Sequence, residues 1–134
     1  MVRAIGGIVA GSATIRFVIG GSKVRLEFEG IVDTGFTGFV LLPIARAVPL
    51  GLEIDGLNSF KSADGAGHQW PTATATAEFG DLASEGSVVL AFYGEEILVG
   101  LTFLETFHQS LIIHRNQVFL IDEADLDSTI MALH

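Results

Sequence analysis

Residues 23–29 alternate without a break: Val24, Leu26 and Phe28 occupy one set of positions, and Lys23, Arg25, Glu27 and Glu29 the other. A period of two sends successive side chains to opposite faces of a pleat, so this segment can only be a half-buried strand. Residues 13–19 form a second β-rich run across Gly20-Gly21-Ser22, and the pair predicts an antiparallel hairpin. The other apolar runs are equally short. They cover residues 39–42, stopped by Pro43, then 72–79, 87–92, 97–99, 111–113 and 118–121, the last two joined by a turn at 114–117. In 72–79, Thr72, Thr74 and Thr76 alternate with Ala73, Ala75 and Ala77, giving one hydroxyl face and one small apolar face. Only residues 101–107 carry helical spacing, through Leu101, Leu104 and Phe107, while 44–48 has room for one turn. The expected fold class is all-β: a small closed barrel with one short helix.

The length of 134 residues suffices for one core and not for two ordinary ones. No repeat or linker divides it, so a single domain is expected, its core at about residues 7–121 and an acidic tail at 122–134. The net charge of -9, with no basic cluster to offset it, disfavours nucleic acid and acidic membrane surfaces as partners. The absence of cysteine excludes disulfides, cysteine-zinc sites and thiol catalysis, and fits a reducing cytoplasm, the expected location. No apolar run approaches the roughly 20 residues of a spanning helix, so a soluble protein is expected. The glycine-interrupted start is read as mature protein rather than a signal peptide. His68, His108, His114 and His134 have no metal-ligand spacing, and no phosphate loop or serine elbow is present. Neither metal nor cofactor is expected.

Asp33-Thr34-Gly35 follows apolar Ile31-Val32, so a lone carboxylate stands at the exit of a buried strand, where water can still reach it. Taken alone, the tripeptide reads as an Asx-turn, with Gly35 at positive φ. Its surroundings add more. Val32-Asp33-Thr34-Gly35, then Phe36-Thr37-Gly38 and an apolar strand, a polar Gly-tipped hairpin at 62–67, and Leu98-Val99-Gly100 opening a short helix together resemble the retropepsin-like aspartic proteases. Residues 32–43 and 97–104 look most like the bacterial branch.

The resemblance implies an aspartic endopeptidase of extended peptides or unfolded proteins, built as a homodimer. Asp33 would be the catalytic carboxylate, Thr34 would bond across the dimer axis, and Gly35 would admit the substrate backbone. Leu98-Val99-Gly100 would brace the loop from beneath, with Leu98 also facing the side chain next to the scissile bond. Ala63, Asp64 and Gly65 would lie at the tip of a flap that closes over the peptide, with Trp70 at its base or the pocket rim. The dimer would use exposed edges near the N-terminal strand and at 118–121. Two features depart from the family pattern. Phe36 takes a place usually small or hydroxylic, and Leu101 with Thr37 replaces an Arg-Asp pair of the retroviral enzymes, so an apolar or hydroxyl contact is expected there. The alternatives are a catalytically silent module of this fold that binds peptides or mediates dimerisation, and a different small barrel in which Asp33 is only a turn residue.

Overall fold

The computed structural model describes residues 2–7, 13–61 and 64–126. Strands β2 (Thr14–Gly20) and β3 (Arg25–Val32) form the expected hairpin, with Phe17 opposite Phe28. Ile15, Phe17, Ile19 and Phe28 point into the core, while Arg16, Glu27 and Glu29 stay on the outer face. The alternation in 23–29 is only partly cashed in as burial. Val24 and Leu26 remain 44% and 38% exposed, because β3 gains its second neighbour only at Ile31 and Val32.

Strand β4 (Val40–Pro43) leads into a one-turn helix α1 (Ile44–Ala47). Next come β5 (Ile54–Lys61), β6 (Gly67–Phe79) and β7 (Leu82–Ala91), a meander of antiparallel pairs. The two-residue strand β8 (Leu98–Val99) then inserts between β3, which it meets in parallel, and β4, which it meets antiparallel. Strand β2 also pairs with β6, placing Ile19 opposite Ala77, so the order β2-β3-β8-β4-β7-β6 returns to its start. The barrel is closed, which removes the open edges of a flat sheet. Within this seven-stranded sheet β5 alone lies outside the ring, carried by β6 as a hairpin. Pro71 sits where β5 is the sole neighbour of β6, just before β7 joins at Thr72, a place where a missing N–H costs little.

Helix α2 (Leu101–Thr106) plugs the barrel. Its deepest side chain, Phe103, is not on the stripe read from sequence, but it stacks with Phe107 one turn later at 4.6 Å between ring centroids. Phe17, Phe39 and Phe79 pack on the same ring at 5.2 to 5.7 Å. Such aromatic pairs each add about 0.5–1.5 kcal/mol beyond their buried area.

A separate sheet has the order β1-β10-β9, from β1 (Val2–Gly7), β9 (Gln109–His114) and β10 (Gln117–Asp122). Arg115 and Asn116 both take left-handed backbone in the turn between β9 and β10, as a two-residue hairpin demands. The expected free edge at 118–121 is not there. Those residues belong to β10, the central strand, whose two edges are taken by β1 and β9 and whose Leu120 and Ile121 are fully buried. The outer edges of β1 and β9 bound this sheet instead. Among the described residues no helix is long and apolar enough to cross a membrane.

Candidate active site

The loop after β3 is held by backbone bonds on both sides. Asp33 N–H donates to Val99 O at 2.9 Å, and Phe36 N–H donates to Asp33 O at 3.1 Å, closing a tight turn. Asp33 Oδ1 accepts the Gly35 N–H at 2.9 Å, so the Asx-turn seen in the tripeptide is present. Gly35 is nevertheless not among the residues at positive φ. A Cβ there would stand 3.2 Å from Asp33 Oδ1, so what glycine provides is room beside the carboxylate. Asp33 Oδ2 has no hydrogen-bond partner among the described residues, and the side chain is half-buried between exposed Thr34 and the strand ends.

From beneath, the start of α2 ties the loop down. Gly100 N–H donates to Phe39 O (2.9 Å), Leu101 N–H to Phe36 O (3.0 Å) and Thr102 N–H to Gly38 O (3.2 Å). A Cβ on Gly100 would fall 2.1 Å from Gly38 O and 2.6 Å from Phe36 O, so only glycine lets helix and loop approach this closely. The contact expected between Leu101 and Thr37 is not the one seen; instead Thr102 Oγ1 donates to the main-chain Thr37 O at 2.6 Å and ties helix to loop.

Above the loop lies a cleft of about 780 Å³. Asp33, Gly35 and Phe36 line one side, and Leu41, Trp70, Ala91 and Leu98 give it apolar walls. Strand β5 contributes Asn58, Ser59 and Lys61, and the β7–β8 connection contributes Tyr93 and Glu96. Asp33, Gly35 and Leu98 are thus brought to one cavity, whereas Thr34 is outside its lining. Asp64 and Gly65 stand at the exposed tip of the β5–β6 hairpin, where Asp64 Oδ1 accepts the Ala66 N–H at 3.0 Å and Gly65 takes φ of 86°. Ala63 lies outside the described residues. Trp70 satisfies both expectations for it, buried at the hairpin stem and facing the cleft. Its ring meets that of Tyr93 edge-on at 5.2 Å, and the Tyr93 hydroxyl shares a hydrogen bond with His68 Nδ1 at 2.9 Å. The hairpin is therefore anchored to the opposite wall. Tyr93 and Glu96 carry no motif, and the one signal for them was position, just upstream of Leu98.

No protein-family model matches this sequence, and no curated protein does. Among solved structures, the crystal structure of a retropepsin-like aspartic protease from Rickettsia conorii superposes with a TM-score of 0.55 over 90% of each chain, at 21% identity. The fold is retropepsin-like.

In this retropepsin-like fold the base of the hairpin is tied at Asp55, at a bulge in β5 between Ile54 and Gly56. Its carboxylate accepts from Thr74 Oγ1 (2.6 Å) and from Thr74 N–H (3.0 Å). The Thr74 hydroxyl bond, followed by the backbone bond, outweighs desolvation and holds the Asp55 carboxyl below its ordinary value of 3.8. A depressed carboxyl contributes stability that is present above the unfolded-state value and lost as pH falls through the folded one. Acidification below about pH 4 is therefore expected to loosen the hairpin base. The protection of the Thr74 amide, taken relative to its intrinsic exchange rate at each pH, should fall there in the wild type, while Asp55→Ala should have lost it already at neutral pH; equal protection in both proteins would remove Asp55 as the tie.

Proposed function

We propose that the protein is an aspartic endopeptidase that acts on extended or unfolded polypeptide as a homodimer. The observation that carries this reading is the Asp33 carboxylate, with Oδ2 unpartnered, opening onto a cleft roofed by a hairpin in a retropepsin-like fold. An extended peptide lying between hairpin and loop would add main-chain hydrogen bonds as a new strand, with Asp64 and Gly65 closing over it and Leu98 against the side chain beside the scissile bond. The likeness of residues 32–43 and 97–104 to bacterial members belongs to the same proposal.

The chemistry needs two carboxylates. Each chain holds one Asp-Thr-Gly, and the other Asp-Gly pairs are spoken for, since Asp55 binds Thr74 and Asp64 caps the hairpin turn. The second Asp33 then comes from another copy across a two-fold axis, with Thr34 bonding to the partner loop. Two carboxylates a hydrogen bond apart share one proton, the arrangement aspartic proteases are known for. The ionised one takes a proton from water as the water oxygen attacks the scissile carbonyl carbon, and the protonated one gives its proton to the carbonyl oxygen. Collapse of the resulting diol breaks the C–N bond: the departing nitrogen takes the proton now held by the first carboxylate, and a diol hydroxyl returns one to the second, restoring the dyad. The outer edges of β1 and β9 would then supply the dimer contact, which needs at least about 1,000 Å² of total buried area.

The test is cleavage of a denatured protein by the purified chain, with specific activity followed on dilution beside sedimentation. Activity should fall as the dimer dissociates. A stable monomer of constant specific activity would overturn the shared dyad, and peptide binding without cleavage would leave a binding module.

A further inference from the structure

The wall of the cleft opposite the hairpin carries a charge that the proposed chemistry does not use. Ile31 N–H donates to Ile97 O at 2.8 Å, so the extended backbone of β8 continues one residue upstream. Ile97 and Val99 point into the core while Leu98 lines the cleft. With a period of two, Glu96 shares the cleft side with Leu98, roughly 7 Å away along the chain, and it does line the same cavity as Asp33. Glu96 makes no hydrogen bond or ion pair among the described residues, so its charge is open to a ligand.

Resting on the reading of this cleft as a peptide-cleaving site, we infer that Glu96 selects a basic side chain, lysine or arginine, beside the scissile bond. Such a side chain has an apolar stem to lie along Leu98 and a cationic head to reach the carboxylate. An apolar residue would cover Glu96 and leave it desolvated without a partner, and an acidic residue would meet it with like charge. The cation in the cleft, Lys61, does not reverse this preference. It lines the cleft from the hairpin, next to the tip and paired across to Gly67, whereas Glu96 lies two residues from Leu98, so Glu96 is the charge that a side chain packed along Leu98 is placed to meet. The net charge of -9 draws cationic peptides in the same sense.

The experiment uses the full chain carrying Asp33→Asn, so that the probe survives, and fluorescence polarisation of decapeptides that differ only in having lysine, leucine or glutamate beside the central bond. The lysine peptide is expected to bind about tenfold more tightly than the glutamate peptide. Adding Glu96→Gln should remove most of that difference, and Glu96→Lys should reverse it. Equal affinities, a preference unchanged by Glu96→Gln, or no binding of any peptide would overturn the inference. Cleavage mapping with the unsubstituted protein decides the peptidase reading separately. Charge-selective binding without cleavage would keep Glu96 as a selector and remove the hydrolase, whereas cleavage indifferent to Glu96→Gln would do the reverse.

Discussion

Asp33→Asn is expected to lower peptide cleavage by at least about 10²–10⁴-fold, the usual contribution of a general acid-base group, while leaving the melting temperature and the sedimentation of the protein unchanged. Asparagine keeps the shape of the side chain and an oxygen that can accept the Gly35 N–H, so the loop that Val99 O and Phe36 N–H hold in place has no reason to move. What is lost is the ability to take a proton from water. Because the proposed dyad draws one Asp33 from each copy, the variant should also be dominant: mixed with wild type under conditions of subunit exchange, it should suppress activity in proportion to the mixed dimers. Cleavage retained by the variant would place the chemistry elsewhere, and a mixture whose activity merely averages would mean that each chain works alone.

Gly100→Ala is expected to be nearly as costly to activity, through geometry alone. The added Cβ would stand 2.1 Å from Gly38 O and 2.6 Å from Phe36 O, both backbone atoms of the loop that begins at Asp33. Neither can rotate away, so α2 and the loop must separate, straining the bonds from Leu101 N–H to Phe36 O and from Thr102 to Gly38 and Thr37. Overpacking of this kind costs about 1–3 kcal/mol, or roughly 4–11 °C in melting temperature for a chain of this size. Misplacing a catalytic group by about 1 Å costs roughly 10²-fold in rate. Activity measured well below the melting point should therefore fall by more than the lost stability explains. A variant with unchanged melting temperature and rate would show that the close approach is dispensable.

The hairpin of β2 and β3, the strands β4, β9 and β10, and the short helix after Gly100 were all legible in the sequence, because each is encoded by neighbours in the chain: a period-two run, a proline stop, a turn at Arg115-Asn116, a helical repeat. The Asp33 loop was legible for a related reason, since a carboxylate and two glycines between apolar strands form a local pattern. Strand β5 was not readable, nor the first half of β7. Residues 54–61 and 82–86 carry no clean period-two pattern and are largely exposed, Ile54, Leu57 and Leu82 included, and they are extended because β6 offers them a partner. Nothing in residues 118–121 says that both edges of that strand will be filled, and nothing near Leu98 says that β8 will slide between β3 and β4. Sequence by itself determined the strands that carry their own pleat period or turn signals, and which residue types sit in the loop, because pleat period and turn chemistry act over a few residues. Tertiary structure alone decided the pairing order, the closed barrel and the cleft where Trp70, Tyr93 and Glu96 meet Asp33. Those depend on contacts between segments tens of residues apart, whose partners no local pattern names.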